Sequence, residues 1–141
     1  MTVLLSIIFT LYAGLVLGVS FIATPAKFMA PSISMPIALE IGKATFHIFN
    51  KVEWIIIVIS IVVTFFSTTN LHRWWFTAGL LALLLIENYY LLPILNIRTE
   101  RAIADNIANP NIFHWLYIGA DTFKIIIALT GAIWLMHARQ K

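Results

Sequence analysis

The sequence predicts an all-α integral membrane protein folded as a four-helix transmembrane bundle, and three observations lead there. Hydrophobic residues make up 61% of the chain and charged residues 11%, against roughly 25% charged residues in a soluble domain. Four apolar segments each exceed the length of about 20 residues that a helix needs to cross a hydrocarbon core. Connectors rich in proline, serine or charge separate them. At 141 residues the chain is expected to form one domain, 1–141. Its helices are expected over about 2–24, 36–66, 74–97 and 112–136.

The first helix is uncharged and is expected to end before Pro25, because a proline disfavours helical backbone at the residue before it. It carries Gly14-Leu-Val-Leu-Gly18, a pattern that lets a neighbouring helix approach closely. The run over 3–23 is too long for a signal-peptide core, and no Lys or Arg precedes it, so it is expected to be a span. A connector over 26–35 follows. Pro36 then suits a first helical turn, where its missing N–H costs nothing. Glu40, Lys43 and His47 place the start of the second helix at the interface, and its spanning part begins near Ala44. Ser67-Thr68-Thr69-Asn70 is a turn. Trp74 and Trp75 beside Arg73 anchor the start of the third helix, in which Pro93 predicts a kink. The next connector is charged over 99–111, with a short amphipathic turn over 100–107 and then Asn109-Pro110-Asn111. The fourth helix leads into a basic tail over 137–141.

Four spans put both termini on one side. That side carries Arg73, Arg139 and Lys141, and the other carries Lys27, Lys43, Arg98 and Arg101. The count of basic residues is close to even. The acid-free tail favours cytoplasmic termini in a bacterial inner membrane. The bilayer is the expected partner, with a homo-oligomer or a larger membrane complex as further candidates. Basic residues are scattered, so no nucleic-acid partner is expected. The chain has no cysteine, which excludes disulfides, thiolate metal sites and cysteine nucleophiles.

The fourth segment carries His114, Tyr117, Asp121 and Lys124 at spacings of three, four and three. At 100° per residue they share an arc of about 80° on one helix face. Charges inside a bilayer are costly and normally face the protein interior or a water-filled cavity. Helical rise gives their depth. Counting from the face that bears the first and third connectors, Asp121 lies about 13 Å deep and Lys124 about 18 Å deep. Glu87 on the third helix comes to about 16 Å and Glu53 on the second to about 13 Å. Three acids and one lysine from three helices therefore fall in one layer. A bundle can turn such stripes inward.

The candidate cavity residues are Glu53, Glu87, Asp121 and Lys124, with Asn50, Asn88, His114 and Tyr117 along the route. His47 and Arg98 sit with His114 at the mouth. The simplest pairing joins Lys124 to Glu87 and to Asp121, leaving Glu53 protonated or balanced by Lys51, Arg98 or a ligand. Three charged acids this close repel one another, so at least one holds a proton or a cation. Any ligand is therefore expected to be neutral or cationic. A plain ion pair that fastens helices is the alternative.

A metal held by the three carboxylates, with His114 or His47 adding nitrogen, is a further candidate. The spacing does not single it out, since no E-x-x-H pair occurs. His47 with His114, and His72 with His137, form two layers that suit haem in principle, but all four lie near the water boundary. No nucleophile elbow, Walker motif or Rossmann glycine pattern is present.

Four groups of residues carry a family resemblance. They are Gly14 and Gly18 followed by Phe21 and Pro25; Gly42, Phe46, Phe49 and Asn50; Glu87-Asn88 followed by Pro93 and Arg98; and Phe113-His114, Tyr117, Asp121 and Lys124. Together they resemble small uncharacterised bacterial four-span proteins distantly similar to the cisplatin-resistance-associated transmembrane protein family. That resemblance implies four spans, with an acid or polar residue at the Asp121 position and a lysine near Lys124; it implies no particular activity. A weaker resemblance is to anthrone-oxygenase-like membrane proteins, although their Asn-Pro in helix two is replaced here by Asn50-Lys51. The expected function is an inward polar cavity that binds or passes a small polar ligand, ion or proton. The alternatives are a small membrane oxidoreductase or cofactor-independent oxygenase using His114 and Asp121, and an accessory subunit of a larger complex.

Overall fold

The computed structural model describes residues 1–67, 71–105 and 112–137, without the side chains of Leu71 and His72. All of its regular structure is helical, and four helices are long and apolar enough to cross a membrane: α1 (Thr2–Met29), α2 (Met35–Phe66), α3 (Arg73–Asp105) and α4 (Ile112–His137). The expected turn over 67–70 beyond Ser67, the end of the charged connector over 106–111 with the last residues of its expected amphipathic turn, the tail beyond His137, and the His72 side chain lie outside the described residues.

Each helix turns one stripe inward, at the three- and four-residue spacing that returns to one face. On α1 the stripe is Leu5, Phe9, Tyr12, Ala13 and Val16. On α2 it includes Phe49, Glu53, Ile57, Ser60 and Thr64. Thr77, Leu80, Leu84, Glu87 and Leu91 form it on α3. On α4 it runs Tyr117, Asp121, Lys124, Ala128, Gly131 and Leu135. The opposite faces expose Ile, Leu, Val and Phe, as lipid contact requires. Trp74 and Trp75 are exposed near one membrane face and Trp115 near the other, where aromatic belts sit.

Two helices run past the prolines expected to end or kink them. α1 continues through Pro25 to Met29, and α3 through Pro93 to Asp105, so the amphipathic stretch after Arg98 belongs to α3. In both cases the helix widens to π geometry just before or up to the proline, over Leu17–Ala23 and Glu87–Leu91. A proline removes one backbone donor and crowds the carbonyl four residues earlier, and a wider turn relieves that crowding. In α1, Thr24 Oγ1 donates to the Val19 carbonyl at 2.9 Å within this stretch.

The Gly14/Gly18 pattern is not where helices meet most closely. A Cβ added at either glycine would touch nothing within 4 Å. The tight crossing is at Gly131, where a Cβ would meet Phe9 and Phe76 at 3.0 Å. Nearby, Ser6 Oγ donates to the Ala132 carbonyl at 3.0 Å and ties α1 to α4. Gly131→Ala is therefore expected to destabilise the protein by about 1 kcal/mol, the low end of the cost of overpacking. Gly14→Ala is expected to change stability by less than about 0.5 kcal/mol. Unfolding in mixed micelles of rising SDS fraction measures both, and equal effects would contradict this assignment of the close crossing.

Candidate functional site

Four helices deliver one polar side chain or more to a single point in the bundle. Tyr12 comes from α1, Glu53 from α2, Glu87 from α3, and Asp121 and Lys124 from α4. All five are fully buried. The stripes explain the convergence, because each residue occupies an inward position flanked by apolar neighbours on its own helix. On α3, Glu87 opens the widened stretch Glu87–Leu91.

Lys124 is the hub. Its Nζ donates to Glu53 Oε1 at 2.7 Å, to Asp121 Oδ1 at 3.2 Å, and to Glu87 Oε2. The Tyr12 hydroxyl donates to the same Glu53 oxygen at 2.8 Å. Glu53 is thus paired directly with Lys124, whereas the sequence allowed it to stand apart from that pair. Lys51 and Arg98, the other cations considered for it, are exposed, and Arg98 lies over the Phe113 ring at 4.9 Å. The second oxygen of each acid, Glu53 Oε2, Glu87 Oε1 and Asp121 Oδ2, is buried and has no hydrogen-bond partner.

The three carboxylates can each offer an oxygen within 4.8 Å of the others, the one such ligand-type cluster among the described residues. It contains no histidine. The ammonium of Lys124 already touches all three acids, so a cation there competes with the protein's own charge. The geometry fits a resident ammonium better than a resident metal.

Asn50 is buried and its Nδ2 has no partner. Asn88 is half-buried and lines neither of the cavities described here. Tyr117 is buried edge-on to Phe46, with ring centroids 5.1 Å apart, and its hydroxyl has no hydrogen-bond partner. At the mouth, His47 is exposed and meets Asn96 at 3.1 Å, and neither His47 nor Arg98 lines a cavity there. His114 lines both cavities, and Lys27 and Lys43, which the sequence reading put on this face of the membrane but not at the site, line the smaller. At the other end His137 is exposed, its Nδ1 held by the Ile133 carbonyl of its own helix at 3.0 Å.

Two adjoining cavities lead inward from this mouth. The smaller, about 80 Å³, has Lys27, Lys43, Asn96 and His114 among its walls. The larger, about 320 Å³, reaches Asp121. The two share Thr24, Phe28, Phe46, His114 and Tyr117. Lys27 is held over the Phe28 and Phe46 rings at 5.0 and 5.7 Å from their centroids. Its ammonium lies where a Cβ at Gly42 would stand, so Gly42 makes room for it. Lys43 pairs with Glu100 at the surface.

Sequence reasoning missed Tyr12 and Ser20. Tyr12 lay in an uncharged helix, but its four-residue and seven-residue spacing from Val16 and Leu5 marks it as inward-facing. Ser20 belongs to the widened turn, where regular helical spacing no longer gives the face. Comparison with family models, with curated proteins and with solved structures finds no match.

Proposed function

We propose that this membrane protein binds a proton or a small cationic or neutral polar ligand at Glu53, Glu87, Asp121 and Lys124, reached from the mouth beside His114. The observation that carries the reading is the mismatch of charge. Three buried carboxyls face one ammonium, and each keeps an unpartnered oxygen. Fastening helices needs only one acid for one lysine, and the excess acids raise the electrostatic cost of the cluster unless they hold protons or a cation. Ionisable groups at this depth generally mark a pathway or a binding site. The cavity that reaches Asp121 supports access from one side. Glu87, Asp121 and Lys124 also belong to the motifs that resemble the small four-span family. Under this proposal the protein sits in a bacterial inner membrane with both termini in the cytoplasm.

Thermal unfolding of the purified protein in nonionic detergent, across pH and across alkali and divalent cations, tests the reading. Wild-type stability is expected to depend on pH, and Glu53→Gln to reduce that dependence. A wild type indifferent to pH and to every cation, with Glu53→Gln unchanged in both respects, would reduce the cluster to a helix fastener.

A further inference from the structure

Above Val16, α1 packs more loosely: no residue from Leu17 to Met29 is fully buried, though Val19 packs partly against the core and Lys27 reaches over Phe46 of α2. The larger cavity occupies the gap this leaves beside α4. Pro25 and Phe28 in its wall are exposed. An enclosed cavity of roughly 150 Å³ accepts one benzene-sized ring. At about 320 Å³ this one has room for two fused rings or a short chain.

Its lining is apolar and aromatic except near Asp121. There three wall residues, Ser20, Tyr117 and Asp121, each carry a buried side-chain oxygen without a hydrogen-bond partner. Tyr117 is 4% exposed and Asp121 0%. An acidic oxygen that accepts nothing calls for a donor. The charge of that donor follows from its surroundings. Glu53 and Glu87 stand behind Asp121, and Lys124 offsets one of the three acids. Tyr12 faces the same cluster from α1. Of the rim cations, Lys43 lines only the smaller cavity, and Lys27 is not in this wall, although its ammonium stands over Phe28 and Phe46, which are. Phe28 and Phe46 already hold one ammonium, that of Lys27, so their faces suit a cation.

Resting on the reading above, we propose that this cavity takes a lipophilic monocation from the bilayer. Its ammonium head reaches Asp121 and Tyr117, and its ring or chain lies against Phe28, Phe46 and Ile118. The two lysines beside the mouth disfavour hydrated inorganic cations, whereas the aromatic walls favour a cation that carries a ring or chain.

Three probes of one shape and different charge test this: 1-naphthylmethylammonium, 1-naphthylmethanol and 1-naphthoate, each titrated against the protein in nonionic detergent with melting temperature as the readout. The ammonium is expected to bind roughly ten- to a hundredfold more tightly than the alcohol, as a charge-assisted hydrogen bond implies. Ile118→Trp, which fills the cavity without touching the charged cluster, is expected to abolish the effect. Leu129→Trp, on an exposed face of α4, is expected to retain it. If Ile118→Trp does not fold, Asp121→Asn replaces it, with the ammonium's advantage over the alcohol expected to disappear. Equal binding of alcohol and ammonium, preference for the naphthoate, or an undiminished effect in Ile118→Trp would each overturn the proposal. Wild-type dependence on pH separates the two readings. If it persists while the ammonium has no effect, only the lipophilic-cation proposal fails; if it is absent, the proton-binding cluster fails with it.

Discussion

Lys124→Ala is expected to destabilise the protein by about 3–5 kcal/mol, the cost of breaking a buried ion pair from one side. The mutation removes the donor shared by Glu53, Glu87 and Asp121 and leaves three buried acids with no cation among them. Alanine also leaves a hole, because Lys124 is among the largest fully buried side chains. The charge argument separates from the hole in a double mutant. Lys124→Ala with Glu87→Gln removes one of the stranded acids and is expected to cost less than the sum of the single changes. SDS-driven unfolding in mixed micelles gives all three values. Strict additivity would show that Lys124 and Glu87 do not interact.

Tyr12→Phe is expected to cost about 1.5–3 kcal/mol, the range for a hydrogen bond to a charged group. The ring stays in place, so packing against Phe9 and Val16 on the inward stripe is preserved and only the hydroxyl is lost. Glu53 Oε1 then keeps Lys124 as its single donor. In a Glu53→Gln background the penalty is expected to shrink, since the acceptor no longer carries charge. The same penalty in both backgrounds would assign the effect to packing.

The architecture was largely legible because membrane helices are written in length and hydropathy. The start of α2 at Met35 and the span of α4, Ile112–His137, fall within a residue or two of expectation. Pro36 and the apolar periodicity are strictly local signals. The far ends of α1 and α3 were less legible, because a proline reads as a stop while a widened turn that accommodates it has no simple residue code. The charged layer was legible for a geometric reason: depth is a linear count from the interface, and four side chains at equal depth on inward stripes have few places to go. Pairing within the layer depends on side-chain reach across helices, which spacing along one helix does not fix. Glu53 was therefore placed in the layer but not on Lys124. Lys27 and Lys43 were placed on this face of the membrane but not against a cavity, because which side chains meet a cavity is a tertiary property.

The core on the terminal side of the cluster packs Phe9, Ile57, Leu80, Leu84 and Leu135, all buried, while a cavity accompanies the packed residues on the opposite side. If the cluster binds a charge as proposed, that asymmetry makes its occupancy depend on membrane voltage. A charge moving from the mouth to Asp121 travels about 13 Å into a hydrocarbon core roughly 30 Å thick. A full crossing is worth about 2.3 kcal/mol per 100 mV, so this partial one is worth up to about 1 kcal/mol. Reversing the polarity of an imposed membrane potential in vesicles would then shift cation occupancy of the cluster in opposite directions.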